Sequence, residues 1–122
     1  MSTLGLDYGL KHIGVAIATG PLAEPLTTLP TKSAPALIRQ LVERHSIRII
    51  IIGRPDKRLQ KSFENFVNYL KIENCKLIIV DETLSSHDSR RSLLHTTQKK
   101  RRTKEHSVAA AIILQSWLDS HP

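Results

Sequence analysis

Apolar and polar residues alternate in short runs through the first third of the chain, and glycine or proline bounds each run. The runs at residues 3–7 and 12–18 predict two strands joined by a hairpin turn at Tyr8–Lys11. A third strand is predicted over Pro25–Leu29, which Pro30 ends. Strands connected by such short turns form an antiparallel meander.

From residue 33 the apolar spacing becomes that of helices alternating with strands. A helix opens at Ser33 with proline in its first turn, and Leu37, Ile38, Leu41 and Val42 recur at helical spacing. Ile47–Ile52 is apolar apart from Arg48, which is typical of a central strand covered on both faces. The remaining elements are a helix with the apolar face Phe63, Phe66, Val67 and Leu70, a strand at Lys76–Val80, and helices at Ser86–Leu94 and Ser107–Leu118 separated by a basic loop.

This order of elements predicts one α/β domain over residues 1–122. Three antiparallel strands followed by parallel additions give a mixed five-stranded sheet flanked by helices. A chain of 122 residues with 40% hydrophobic residues fits one core. Gly5 and Gly14, within the first two strands, either let another backbone approach or mark bends.

Acidic residues follow two of the predicted strands. Asp7 ends the first strand, and Asp81 and Glu82 end the last. Carboxylates at the ends of buried strands are costly to desolvate unless a cation or hydrogen bonds compensate them. Ligands also gather beyond the carboxyl ends of strands in such sheets, which favours a metal site there. The alternatives are a turn aspartate at Asp7, a surface carboxylate at Glu82 and a helix-capping or loop role for Asp81.

Positive charge is concentrated in one segment of a chain whose net charge is +7. Between His87 and His106, basic residues outnumber Asp88 and Glu105; they are Arg90, Arg91, Lys99, Lys100, Arg101, Arg102 and Lys104. Such clustering favours a nucleic-acid partner, with a solvated loop as the alternative. Arg90, Arg91 and Lys99–Arg102 are the candidates for gripping a phosphate backbone. Lys11, His12 and Arg54, near strand ends, are further candidates for phosphate contact.

The compartment is predicted from what the sequence contains. The N-terminus lacks the pattern of a signal peptide, and the longest apolar run is too short to cross a bilayer. One cysteine, Cys75, cannot form an internal disulfide. We therefore expect a cytoplasmic protein with no membrane partner.

Five motifs, in order along the chain, resemble those of the YqgF/RuvX family of RNase H-like nucleases. They are Leu6–Ala16, Glu24–Leu26, Ile51–Pro55, Asp81–Ser86 and Ala109–Gln115. The resemblance implies an RNase H-like fold and a metal-dependent nuclease that matures the 5′ end of 16S ribosomal RNA. A second activity implied by likeness to RuvC is resolution of Holliday junctions, for which a dimer would present two sites.

The resemblance also implies roles for individual residues. Asp7 would be the central ligand of two divalent cations, Mg²⁺ or Mn²⁺, and Glu82, with Asp81 beside it, would supply the second carboxylate. The family's third ligand is an aspartate before the Ala-rich helix, where this chain has His106. His106 would then be a ligand or a proton-transfer group. The alternatives are that Glu105 replaces the aspartate, or that the site is inactive.

A further departure is Thr83, where the family has arginine after the Asp-Glu pair.

The sequence leaves three hypotheses of function. The first is a nuclease acting on structured nucleic acid, with precursor ribosomal RNA favoured as substrate. The second is a Holliday-junction resolvase acting on branched DNA. The third is a catalytically weakened nucleic-acid-binding protein. A monomer and a homodimer are both compatible with the sequence.

Overall fold

The elements of the chain follow the predicted order closely. The computed structural model describes residues 2–81 and 98–121, with the backbone alone described from 98 to 105. Its strands are β1 (Ser2–Asp7), β2 (His12–Ala18), β3 (Glu24–Pro30), β4 (Ile47–Gly53) and β5 (Lys76–Val80). Its helices are α1 (Ala34–His45), α2 (Gln60–Leu70), which a short 3₁₀ turn at Lys57–Leu59 precedes, and α3 (Gln98–Ser120).

The strands form one sheet in the order β3-β2-β1-β4-β5. Strands β1, β2 and β3 pair antiparallel, whereas β4 pairs parallel to β1 and β5 parallel to β4. The predicted mixed sheet is confirmed. Strand β1 lies at its centre, and the register aligns Asp7 with Gly53 and Gly53 with Val80. The carboxyl ends of β1, β4 and β5 therefore share one edge, called here the carboxyl edge.

The two faces of the sheet bury side chains of different size. Leu4 and Leu6 of β1 point to the face that α1 and α2 cover, where they meet large residues such as Phe63. This is the bulky face. Gly5 and Asp7 alternate to the opposite face, which α3 covers. This small-residue face buries a core of Ala16, Ala18, Ile51, Ala110, Ala111, Ile113 and Leu114.

Helix α3 begins earlier than the sequence predicted. It starts at Gln98, not at Ser107, so the loop prediction is wrong for residues 98–105. Lysine, arginine, glutamine and glutamate are good helix formers, and neither glycine nor proline interrupts this stretch. The prediction relied on apolar periodicity, which appears only where the helix meets the sheet. His106 consequently lies inside a helix. The helix predicted at Ser86–Leu94 falls outside the described residues.

Local residues determine where α1 begins and ends. Pro35 lies in its first turn, where a missing N–H is tolerated. At its end Ser46 adopts a left-handed conformation (φ 54°), and its N–H bonds to the carbonyls of Val42 and Glu43. The chain reverses there into β4.

Within the described residues, no helix has the length and apolarity needed to cross a bilayer.

Candidate active site

Asp7 is the buried carboxylate at the end of the central strand. Strands β2 and β4 pair with β1 on either side of Asp7, and the Asp7 side chain is 12% exposed. Strand alternation points this side chain to the small-residue face, towards α3. A buried carboxylate in that position requires compensation by a cation or by hydrogen-bond donors.

Helix α3 brings His106 to this carboxylate. Nδ1 of His106 lies 3.5 Å from Oδ2 of Asp7, and the imidazole is 42% exposed. The structure therefore places Asp7 and His106 side by side, and their roles as ligands stay a prediction. The imidazole is therefore the more accessible group of the two.

Glycine at position 14 permits this approach. Gly14 pairs with Asp7 in the β1–β2 register. A Cβ added to Gly14 would lie 1.8 Å from the carbonyl oxygen of His106, far inside van der Waals contact. Gly5 is in a similar position further along β1, where a Cβ would lie 2.7 Å from Cβ of Leu114. The close-approach reading of these two glycines is therefore the right one.

His12 is a third polar side chain at the site. Its ring stacks on His106, with 6.1 Å between ring centroids and 28° between planes. The sequence suggested only a phosphate contact for His12. It precedes Gly14 by two residues on the same strand, so strand periodicity places both on the small-residue face. That periodicity was the signal that could have found it.

A polar contact at the far end of α3 fixes the helix over the sheet. The side chain of Gln115 accepts a hydrogen bond from the N–H of Ala23 (2.8 Å) and donates one to the carbonyl of Pro21 (2.9 Å). Both partners lie in the turn between β2 and β3. The contact of Gly14 with the His106 backbone and the two hydrogen bonds of Gln115 together hold α3 in one position on the sheet.

Two of the predicted phosphate contacts lie at the carboxyl edge. Lys11 is exposed in the turn between β1 and β2. Arg54 is exposed directly after β4, and its N–H donates to the carbonyl of Val80 (2.8 Å). The residues Lys99, Lys100, Arg101 and Arg102 lie on the first turns of α3, and their side chains are not described. At about 1.5 Å of helix rise per residue, Arg102 is about 6 Å along the axis from His106.

The other predicted ligands are further away or undescribed. Asp81 follows β5 and is exposed. Since two strand spacings of about 4.8 Å separate β5 from β1, its backbone lies about 10 Å from that of Asp7. Glu82, Arg90 and Arg91 lie outside the described residues. Among side chains 2–81 and 106–121, no group of three or more His, Cys, Asp or Glu residues is placed to hold a metal ion.

Comparison with known proteins decides the family. The family model described as "RuvX: Holliday junction resolvase" matches residues 1–120. The chain belongs to the RuvX (YqgF) family. A protein of Sulfurihydrogenibium sp. named "Putative pre-16S rRNA nuclease" is 36% identical, over 95% of this chain and 88% of its own length. One of the same name from Chlamydia pneumoniae is 34% identical over 98% of this chain and 90% of its own.

Solved structures confirm that this RuvX chain has the RNase H-like fold. The Holliday-junction complex of Thermus thermophilus RuvC superposes with a TM-score of 0.61 at 11% identity, covering 98% of this chain and 94% of that one. The fowlpox virus Holliday junction resolvase gives a TM-score of 0.61 at 17% identity, covering 98% and 99%. At these identities the likeness concerns the fold alone.

The spacing of two donor atoms in this RuvX chain is compatible with binding to one divalent cation. Two ligands bound to one cation at about 2.1 Å are separated by roughly 3.0 to 4.2 Å, depending on the angle between them. The 3.5 Å between Nδ1 of His106 and Oδ2 of Asp7 falls in that range. It is also longer than a good N–H···O hydrogen bond. One oxygen and one nitrogen donor suit Mn²⁺ better than Mg²⁺.

Proposed function

We propose that this protein is a metal-dependent nuclease that hydrolyses phosphodiester bonds in structured RNA, with the 5′ end of precursor 16S ribosomal RNA as its substrate. The observation that carries the proposal is the convergence of Asp7 and His106, 3.5 Å apart at the carboxyl edge. The names of relatives more than 30% identical support the substrate.

Asp7 and His106 would hold the cation, and Glu82 is the residue we propose as the further carboxylate. Ile78 and Val80 of β5 pack in the core of the small-residue face. Glu82 has the same parity in sequence as these residues, and Asp81 the opposite parity, which favours Glu82 as the ligand. Divalent cations in such sites activate water and neutralise charge on the leaving oxygen.

The protein's own groups have separate tasks in this proposal. The Asp7 carboxylate fixes the reaction centre because strands on both sides hold its backbone. His106, partly exposed beside it, would ligate the cation or exchange a proton with the attacking water. Lys11 and Arg54 at the same edge would bind phosphates flanking the scissile bond, and the basic first turns of α3 would extend that contact.

A histidine in place of a third carboxylate changes the charge of the site. Imidazole adds no negative charge, so a bound cation keeps more of its positive charge than it would beside another aspartate. This makes Mn²⁺ the expected better activator. The same loss of negative charge is the reason for the third hypothesis, a weakened enzyme that still binds nucleic acid.

The second candidate function is Holliday-junction resolution. The description of the matching family favours it, because it names that activity. A resolvase must cut two strands of a four-way junction and therefore needs two sites, which a homodimer would provide. We place it second because the relatives of 34–36% identity carry the ribosomal RNA name.

The test is a cleavage assay on labelled precursor 16S RNA, four-way DNA and perfect duplexes, each with Mg²⁺, Mn²⁺ or chelator. We expect metal-dependent cleavage of the RNA that Asp7→Asn lowers about 1,000-fold, since several kcal/mol of transition-state stabilisation are lost. Asp56→Asn removes an exposed carboxylate that caps the 3₁₀ turn and is the matched control. Equal cleavage by wild type and Asp7→Asn would refute the site.

Two other outcomes assign the alternatives. Cleavage confined to four-way DNA would establish the resolvase reading. Salt-sensitive binding of RNA without cleavage in either metal would establish a weakened, nucleic-acid-binding protein. The exchange His106→Asp then measures the effect of the histidine. We expect it to raise the rate with Mg²⁺ relative to Mn²⁺, because it adds the carboxylate that Mg²⁺ prefers.

A further inference from the structure

A groove of about 400 Å³ lies between α1 and α2 on the bulky face, next to the carboxyl edge. Its charged lining residues are Lys32 and Arg39, and among the described residues no carboxylate lines it. Ser33 and Ser62 also line it, but their hydroxyl groups are already hydrogen-bonded to Pro30 and Tyr8, so Lys32 and Arg39 carry the attraction for an anion. This lining is complementary to a phosphate ester, and the volume lies within the range of small-ligand pockets, about 300–1,000 Å³.

The floor of the groove is joined directly to the proposed active site. Tyr8, which lines the groove, is the residue after Asp7 in the chain. Its ring is buried. It packs edge-on against Phe63, with 5.5 Å between ring centroids, and at a tilt against Phe66, with 5.2 Å between centroids. The groove therefore adjoins the backbone of Asp7 directly.

Two hydrogen bonds fix the groove relative to Asp7. The hydroxyl of Thr31 donates to the carbonyl of Gly9 (2.8 Å), and the N–H of Thr31 donates to the carbonyl of Lys11 (2.9 Å). Thr31 belongs to the segment that leads into α1, whereas Gly9 and Lys11 form the turn after Asp7. The groove and the carboxylate are therefore parts of one rigid unit.

An exposed aromatic ring lies on the rim of the groove. Tyr69 of α2 is 73% exposed, although it is a large aromatic residue. Arg39 donates a hydrogen bond to the backbone carbonyl of Tyr69, which ties α1 to α2 across the groove. The guanidinium has further N–H groups for a ligand. An aromatic ring beside a cationic groove is the pairing that binds unpaired nucleotides, since the ring stacks on a base and the cations bind its phosphate.

On the basis of the nuclease function above, we propose that this groove binds one unpaired nucleotide next to the cleaved bond, its phosphate at Lys32 and Arg39 and its base on Tyr69. The substrate strand then crosses the carboxyl edge of the sheet from Asp7 to Tyr8. A duplex end alone leaves the groove empty, whereas a single-stranded extension fills it. The groove therefore selects substrates in which an unpaired segment adjoins structured RNA.

The test measures binding of two labelled RNA hairpins, one blunt and one with a single-stranded extension, to Asp7→Asn protein in chelator. We expect Tyr69→Ala to weaken binding of the extended hairpin about tenfold and to leave the blunt one unchanged. Tyr69→Phe keeps the ring and should bind normally. Lys32→Gln should lower the slope of log affinity against log salt by about 0.7 for the extended hairpin.

Lys61→Gln is the matched charge control, because Lys61 is exposed on α2 but does not line the groove. Equal losses in Lys32→Gln and Lys61→Gln, or equal losses of both hairpins in Tyr69→Ala, would overturn the proposal. The nuclease function fails separately, by absence of cleavage in wild-type protein with either metal. Normal cleavage together with unaffected binding in the Tyr69 and Lys32 variants would reject the groove alone.

Discussion

The two faces of one sheet use opposite kinds of packing. On the bulky face, leucine, isoleucine and phenylalanine fill the space under α1 and α2. On the small-residue face, glycine and alanine let α3 approach until its backbone meets that of the strands. The same strands supply both faces, since side chains alternate along them. The two faces therefore have different roles. Large side chains on the bulky face bury apolar area and so stabilise the fold, whereas glycine and alanine on the small-residue face determine how closely α3 approaches the sheet.

This division explains why the candidate site lies on the small-residue face. Asp7 and His106 come from elements far apart in sequence, and their 3.5 Å separation depends on how near α3 comes to β2. A glycine at position 14 determines that distance because a methyl group there would overlap the His106 carbonyl. Removing atoms should therefore be most harmful on the bulky face, and adding atoms most harmful on the other.

Phe63→Ala is the largest expected loss on the bulky face. Its side chain is 2% exposed and contacts Tyr8 within the large core. Truncation should lower the free energy of unfolding by about 4 kcal/mol, from lost burial plus the cavity left behind. Denaturant unfolding measures it. Leu22→Ala, at a leucine that is 72% exposed, is the control and should change stability by less than about 0.5 kcal/mol.

Gly14→Ala adds one methyl group to the opposite face. We expect a loss of about 2–3 kcal/mol, because overpacking at a backbone contact forces α3 to shift. Gly20→Ala is the matched control, since a Cβ there meets nothing within 4 Å. If both exchanges gave the same unfolding midpoint, the contact between α3 and β2 would not be tight in solution, and the comparison of faces would fail.

Gln115→Leu tests the polar anchor of the small-residue face. It removes the acceptor of the Ala23 N–H hydrogen bond and should lower the free energy of unfolding by about 1–2 kcal/mol. Asp119→Ala removes a neighbouring exposed carboxylate that accepts a hydrogen bond from Gln115 (3.0 Å) and is the control. A wild-type melting curve for Gln115→Leu would mean that the glycine contacts alone hold α3.

Cys75 gives the smallest effect and reports on the bulky face. Burial raises the pKa of this thiol above its ordinary value of 9.0. The folded protein therefore keeps a proton that the unfolded chain releases, so stability is unaffected below about pH 9 and falls as pH rises through the folded pKa. Thiolate absorbance should titrate at higher pH in native than in denatured protein. Coincident curves would show that the thiol is as solvated in the native protein as in the denatured one.

Sequence periodicity predicted the sheet well for a physical reason. Alternation in β1 and β2, and the apolar run of β4, reflect burial on one or two faces, which is a property local to each strand. The start of α3 was missed because every residue from Gln98 to Glu105 is polar or charged, so this stretch carries no apolar signal. Helix propensity, not burial, favours the helix there.

The site was only partly readable from the chain. Asp7 is predictable because a carboxylate directly after a buried strand is unusual, and His106 because the family resemblance marks its position. The alternation that places His12 on the face of His106 is also present in the sequence. The groove under Tyr69 could not have been predicted, because it depends on the spacing of α1 and α2, which no local pattern encodes.

The central claim is that the contact of α3 at Gly14 holds His106 beside Asp7 in a working nuclease site. Its most direct test is the single-turnover cleavage rate of Gly14→Ala beside Gly20→Ala, at a temperature where circular dichroism shows both folded. A displacement of about 1 Å at such a site lowers rates about 100-fold, so we expect that loss in Gly14→Ala and none in Gly20→Ala. Equal rates in the two folded variants would contradict the claim.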